Sequence, residues 1–178
     1  MPRFEPPFVF QPPSYKPPTV DDIIDLEVKG PWTTKSNAVL NVLLAMPHDL
    51  ATQFLTYDDE LGKLPVDIRG LRIYSVRGLK KGSVGGTEFH RIRKEQIIGL
   101  DGSVDLELED VYGRKRNVVI TPKRGVHFPP FILHTYTTLQ DNSGLLVVAN
   151  TLFNADNPTT NDSYTSDVFR EIQSHYNK

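Results

Sequence analysis

The chain has no cysteine among its 178 residues, which removes disulfides, thiolate nucleophiles and Cys-ligated zinc together. His, Asp and Glu are then the available metal ligands, so any bound metal is expected to be hard or borderline. The chain also lacks an excess of one charge: 20 Lys and Arg stand against 22 Asp and Glu, a formal net charge of −2. Such a balance gives no global field for a polyanion, and general nucleic-acid binding is not expected. No stretch approaches the ~20 apolar residues of a membrane span. The start, Met1-Pro2-Arg3-Phe4-Glu5-Pro6-Pro7, has no apolar run behind a basic residue. The expectation is a soluble, cytoplasmic protein without membrane contact and, at this length, with one domain.

Proline is plentiful and unevenly placed. Half of the 14 prolines fall in the first 18 residues, interleaved with Phe4, Phe8, Phe10 and Tyr15. Each pyrrolidine ring fixes φ and removes a ladder donor, so residues 1–20 read as an extended arm, not a helix. Two readings of the arm stand: a disordered leader, or a strap whose aromatics dock on a barrel wall or a neighbouring subunit.

Residues 21–178 read as one domain, with a barrel core over about 64–155. Asp21 and Asp22 can open a short helix, and 36–45 is helical or extended. A loop is expected around Asp58-Asp59-Glu60. From there short β-branched runs alternate with turn residues: strands are expected at 71–76, 87–92, 97–100, 103–109, 117–121, 126–128, 133–138 and 145–150, with a loop at 82–86. Val104, Leu106 and Leu108 alternate with Asp105, Glu107 and Glu109, the period of a strand with one wet face. Asp101-Gly102 and Tyr112-Gly113-Arg114 are turn signals. Many short strands at such spacing imply an all-β sandwich or barrel, closed by a short helix over 166–176.

Gly82 precedes Glu88 by five intervening residues; one separates Glu88 from His90, four separate His90 from Glu95, and six lead on to Gly102. Alternate residues of a strand share a face, so Glu88 and His90 are expected to point inward together, with Glu95 on the next strand. Pro129-Pro130-Phe131-Ile132-Leu133-His134 brings a fourth ligand-type group.

These intervals resemble the two motifs of the cupins, with Glu88 where the first motif has a histidine and Phe131 where the second has a glycine. More narrowly, Gly102-Ser103-Val104, 122–125, Val126-His127-Phe128-Pro129-Pro130 and Leu146-Val147-Val148-Ala149-Asn150 are similar to the WxcM-like branch. The resemblance covers roughly residues 64 to 170. Leu64-Pro65-Val66 and Arg72-Ile73-Tyr74 resemble its entry segment. That branch includes sugar 3,4-ketoisomerases acting on dTDP-4-keto-6-deoxyhexoses and is akin to dTDP-4-dehydrorhamnose 3,5-epimerases. The resemblance implies a cupin double-stranded β-helix, a jelly-roll barrel, in a homodimer. In the ketoisomerase pattern an Arg opens the motif and Gln follows it; Gly85-Gly86-Thr87-Glu88-Phe89-His90-Arg91 has no such Arg, and Glu95 replaces the Gln.

Three functions are carried forward. The first is an isomerase or epimerase, without cofactor, of a nucleotide-activated keto-deoxysugar or related carbonyl sugar. Moving a carbonyl along a carbon chain needs a base for an acidic C–H and an acid to return the proton: His90 is the base, Glu88 its orienting partner or the acid, and Tyr74 polarises the carbonyl. His134 and the guanidinium forks of Arg72, Arg91 and Arg93 bind substrate, the last three as a pyrophosphate clamp. The second is a metal-dependent enzyme in which Glu88, His90, Glu95 and His134 hold Fe, Mn, Ni or Zn. The third is a non-catalytic cupin that binds a sugar or small acid.

Each residue also has a plainer reading. Glu88 and His90 alone make a hydrogen-bonded pair; Tyr74 is a barrel-wall aromatic and Trp32 a packing residue. His127 is a satisfied structural histidine, and Arg69, Arg72, Arg77, Lys80 and Lys81 form a solvated edge. The acidic face of Asp105, Glu107 and Glu109 is solvent or a subunit rim. Asn161-Asp162-Ser163 matches the glycosylation triplet by chance and reads as an ordinary loop.

Overall fold

The computed structural model describes residue 13, residues 15–57 and residues 67–177. The first aromatics of the arm, the loop at Asp58-Asp59-Glu60 and the Leu64-Pro65-Val66 segment lie outside them.

Two five-stranded antiparallel sheets face each other. The strands are β1 (Ile24–Glu27), β2 (Lys29–Thr33), β3 (Val39–Val42), β4 (Arg69–Leu79), β5 (Val84–Phe89) and β6 (Glu95–Asp101), then β7 (Val104–Glu109), β8 (Lys115–Ile120), β9 (Arg124–Phe128), β10 (Leu133–Thr138), β11 (Ser143–Thr151) and β12 (Tyr164–Thr165). One sheet runs β1-β9-β6-β11-β4 and the other β12-β5-β10-β7-β8, while β2 and β3 pair as a separate ribbon. This is the expected jelly-roll barrel.

Alternation builds the interior. Val104, Leu106 and Leu108 of β7 are fully buried, and with Val118 and Ile120 of β8 they meet Ile97, Val126, Leu145 and Val147 of the opposite sheet. Each such side chain contributes ~1.5–3 kcal/mol on burial. The Asp101-Gly102 turn into β7 needs its glycine: φ is +59°, and a Cβ there would lie 2.3 Å from Ser143 Oγ. Asp110 holds the turn from β7 to β8 by accepting the backbone N–H groups of Tyr112 and Arg114, both at 3.0 Å, and it also accepts the N–H of Val20 at 3.1 Å. The residues before β1 are thereby tied to the barrel. Tyr15 packs edge-on against Phe131 with ring centroids 6.5 Å apart, and the Tyr112 hydroxyl donates to the Pro17 carbonyl.

The helix expected at the end is α2 (Ser166–Tyr176), and it closes a second apolar cluster in which Phe169 and Ile172 pack against Phe89, Val111, Phe131 and Leu133. Glu109 is not part of a wet rim. It is buried and accepts both arms of the Arg170 guanidinium and the Gln173 amide, fixing α2 on the sheet. The other helix, α1 (His48–Leu55), follows Pro47, carries Asp49 in its first turn and buries its own Phe54. It is held from outside by Asn150 Nδ2 on the Phe54 carbonyl and by Lys94 Nζ on the carbonyls of Gln53 and Thr56. The 36–45 segment is extended, as β3. Trp32, on the ribbon, is half exposed and not a core cap. No described helix is long and apolar enough to cross a membrane.

A buried histidine and carboxylate cluster at the candidate active site

The site is assembled from both sheets. Glu88 of β5 lies opposite His134 of β10, and Glu95 begins β6 opposite Ala149 of β11. Strand β5 spans only 84–89, so His90 sits on the turn that follows, not on the strand expected to carry it inward beside Glu88. Two local devices supply the alignment instead. Thr87 adopts φ +59°, a conformation that costs a β-branched residue energy, and forms a bulge in which Gly86 and Thr87 face Thr135. That extra residue brings Gly85 and Glu88 to the same inner face. Gly85 also leaves room for Tyr136, since a Cβ would stand 2.2 Å from its phenol oxygen.

The second device is Asp162. Its fully buried carboxylate accepts the N–H groups of Arg91 (3.2 Å), Ile92 (2.9 Å) and Arg93 (2.8 Å), and its carbonyl oxygen lies 2.8 Å from His90 Nδ1. Asn161-Asp162-Ser163 is therefore no ordinary loop. It is the clamp on the turn that carries the histidine. The carbonyl can only accept, so Nδ1 carries a proton and Nε2 faces the cluster. His134 is set the same way, Nδ1 towards the Ile132 carbonyl at 3.3 Å. Phe131, which replaces the motif glycine, has φ +61° and is fully packed among Phe89 and Tyr15; its N–H donates to the His90 carbonyl at 2.8 Å. Packing thus holds a left-handed position that glycine would fill freely.

Glu95 is the electrostatic centre. Its Oε1 lies 3.3 Å from Arg93 Nη1 and 3.5 Å from His90 Nε2, and its Oε2 lies 3.8 Å from His134 Nε2. Burial opposes the charge, but the two imidazoles and the guanidinium outweigh it and hold the carboxyl well below the usual range. Glu88 follows the same balance: burial pushes it up, while His90, His134 and Arg93 pull it further down. It is a carboxylate, so the partner-acid role considered for it is corrected. Burial, reinforced by Glu95, pushes the Tyr74 phenol far above its ordinary value, and Tyr74 donates to Glu95 Oε1 at 3.4 Å. Burial, and then the charge of His90, pull His134 below its ordinary value.

A cavity of about 390 Å³ is lined by Arg72, Tyr74, Arg93, Phe153, Asn161 and Ser163; it adjoins the cluster through Tyr74 and Arg93, which contact Glu95, and none of the four cluster residues is part of its lining. Arg72 stands over the rings of Tyr74 and Phe153, at 5.0 and 5.4 Å, and its buried Nε has no partner among the described residues. It is a wall of the cavity, not a solvated edge. Arg91 lies on the clamped turn, half-buried and outside that lining; Arg93 takes the place facing the cavity. His90 is 2 % exposed and sits behind Arg93.

Glu88, His90 and His134 offer three ligand atoms within 4.8 Å of one another. Glu95 is outside this group, engaged by Arg93 and both histidines, so the four-ligand set of the sequence reading becomes three. His127 faces a different cavity, outside the first sheet. It is buried but not satisfied: its Nδ1, like Oε1 of Gln96 directly opposite, has no hydrogen bond among the described residues. Tyr136, Phe153 and Thr151 lie in no motif, and Asp162 lies only in a triplet that reads as a loop; β5 and β10 are far apart in the chain, so patterning gives no clue to the pairing of Tyr136 with Gly85.

A jelly-roll barrel whose open end gathers histidines and carboxylates from both sheets defines a cupin-like protein. The chain belongs to the WxcM-like, C-terminal family (FdtA), whose model matches residues 40–167. No curated protein matches it. Among solved structures it is similar to QdtA, a sugar 3,4-ketoisomerase from Thermoanaerobacterium thermosaccharolyticum in complex with TDP, at 16% identity and TM-score 0.59, covering 88% of this chain and 98% of that one. WlaRA, a TDP-fucose-3,4-ketoisomerase from Campylobacter jejuni, aligns at 19% identity and TM-score 0.58 over 85% and 96% of the two chains. A dTDP-4-dehydrorhamnose 3,5-epimerase from Bacillus anthracis aligns at 12% identity and TM-score 0.57 over 83% and 82%. Similarity at these identities describes the fold.

Proposed function

We propose that the protein is a cytoplasmic isomerase or epimerase of a nucleotide-linked keto-deoxysugar, working by acid–base proton transfer without a cofactor. The observation that carries this reading is the preset orientation of His90. Its Nδ1 is committed to the Asp162 carbonyl at 2.8 Å, which leaves Nε2 as a base directed at the cluster behind the cavity. Arg72 supplies a buried donor, without a partner among the described residues, suited to a phosphate oxygen. Phe153 and Tyr74 offer aromatic surface at the mouth, and Glu88 keeps a negative charge beside the imidazoles. The same reading makes the protein a homodimer: Leu71 and Ile73, on the outer face of β4, are 52% and 59% exposed and would be covered by a second copy. The test is to incubate the protein with TDP-4-keto-6-deoxyglucose in D2O and follow ring protons by NMR. Deuterium entry beside the carbonyl, abolished in His90→Asn, supports the reading; tight TDP binding without exchange points to the non-catalytic alternative.

A second reading, a divalent-metal site, is favoured by the convergence of Glu88, His90 and His134 within 4.8 Å. Two imidazoles and a carboxylate suit Fe(II), Mn(II), Ni(II) or Zn(II), and a cation there would polarise a carbonyl oxygen. Arg93 Nη1, 3.4 Å from His90 Nε2, competes for the same lone pair. Elemental analysis decides: stoichiometric metal lost in Glu88→Gln but kept in Glu95→Gln supports this three-ligand site.

A further inference from the structure

We propose that Arg93 is the oxyanion-stabilising residue of this site, holding the substrate's carbonyl oxygen through Nη2 while His90 removes a proton from the adjacent carbon. This rests on the isomerase reading above and deepens it by assigning the electrophile, a role the sequence reading gave to Tyr74.

The guanidinium is fixed on two of its three nitrogens. Nε donates to Thr151 Oγ1 at 3.1 Å; Nη1 approaches Glu95 Oε1 at 3.3 Å and His90 Nε2 at 3.4 Å. The hydrogen bonds of the Arg93 side chain among the described residues use Nε and Nη1 and leave Nη2, on a residue 4% exposed that lines the cavity. A donor pair on a residue that lines the cavity and is already fixed through its other nitrogens suits a developing negative charge, because the donors are in place before the charge appears. Burial weakens a cation, but Glu95 and Asp162 outweigh that and keep Arg93 charged. The alternative electrophiles have other assignments, Arg72 as the phosphate donor above. Tyr74 gives its one hydroxyl proton to Glu95, and Arg72 is held between Tyr74 and Phe153 at the mouth.

Proximity supplies the chemistry. The carbon that loses a proton and the oxygen that gains charge are separated by a single carbonyl carbon, and Arg93 and His90 are in contact. His90 Nε2 takes the proton; the C–H electron pair becomes the C=C bond of an enediolate, and the carbonyl π pair moves onto the oxygen facing Nη2. The long contact between Nη1 and His90 yields to the incoming C–H. For a ketoisomerase, protonated His90 returns its proton to the former carbonyl carbon. The neighbouring hydroxyl passes its proton to the first oxygen, so the carbonyl moves one carbon with atoms and electrons balanced and no co-reactant.

The test uses the full chain, TDP-4-keto-6-deoxyglucose turnover and exchange in D2O, and TDP affinity measured separately. Arg93→Gln keeps a polar side chain without the charge, and we expect kcat to fall ~10²–10³-fold while TDP affinity stays within about threefold of wild type. In Arg93→Ala, added guanidinium should restore at least about tenfold of the lost rate, and it should restore nothing in His90→Ala. If Arg93→Ala does not fold, the Arg93→Gln comparison alone decides. A kcat within about fivefold of wild type, or a fall in TDP affinity matching the fall in kcat, overturns the assignment. Wild-type protein that neither exchanges nor isomerises removes the isomerase reading and this role with it; active wild type with unaffected Arg93→Gln removes this role alone.

Discussion

Asp162 grips His90 through its backbone and the turn after His90 through its side chain, the Nδ1 contact being 2.8 Å and the carboxylate taking three consecutive N–H groups. One residue thus sets both the tautomer of the histidine and the place of Arg93.

Replacing Asp162 by Ala leaves those N–H groups unpaired in a dry site, which should cost about 3 kcal/mol or more. Asp162→Asn, which keeps the shape and one acceptor, should cost about half as much. Denaturant melts measure the loss, and long-range ¹H–¹⁵N spectra should show the His90 ring signals shifting in the Ala variant as the turn loosens around a main-chain acceptor that remains. An unchanged His90 spectrum would sink the positioning role.

Gly85→Ala drives a methyl group into the Tyr136 ring, whose oxygen would lie at 2.2 Å. Overpacking of this kind costs ~1–3 kcal/mol. Trimming the ring should relieve it, so Gly85→Ala with Tyr136→Ala should lose less than the two single changes summed. Additive losses in a double-mutant cycle would mean that the ring does not lie over Gly85.

Thr87→Gly removes the penalty of a β-branched residue at φ +59°. Against ~1–3 kcal/mol of relieved strain stands up to ~1 kcal/mol of added chain entropy, so stability should rise by about 1 kcal/mol. Calorimetry should show a melting temperature higher by roughly 2–4 °C; a lower one would contradict the bulge geometry.

Burial, aided by the charge of Lys94, pushes the His127 imidazole down to about 4. Because the folded value lies below the unfolded ~6.5, the unfolded chain binds more protons between them. Stability attributable to His127 is full above about pH 6.5 and is lost as pH falls toward 4, by at most about 3 kcal/mol. In His127→Gln the drop in stability between pH 7 and pH 4 should shrink by a measurable part of that amount. Identical pH profiles for the two proteins would refute it.

The barrel was legible because its signal is local: the alternation of Val104, Leu106 and Leu108 has the period of the pleat, and Asp101-Gly102 has the chemistry of its turn. His90, Glu95 and His134 were legible as a group because motif spacing survives the substitutions at Glu88 and Phe131. What spacing could not express was the offset produced by Thr87, since a bulge is decided by pairing with Thr135 across the sheet. Nor could it express α1, whose caps come from Lys94 and Asn150. Asp162 escaped for the same reason. A carboxylate in a polar triplet looks solvated until the fold encloses it.

The 72-residue separation between His90 and Asp162 also bears on how the protein comes into being. A chain emerging from the ribosome exposes His90 long before the carbonyl that orients it. Until the crossing segment after β11 arrives, His90 can carry its proton on either nitrogen. The set orientation of this ring should therefore appear late and abruptly during synthesis, in step with the docking of 161–163 and not with the laying down of the strands.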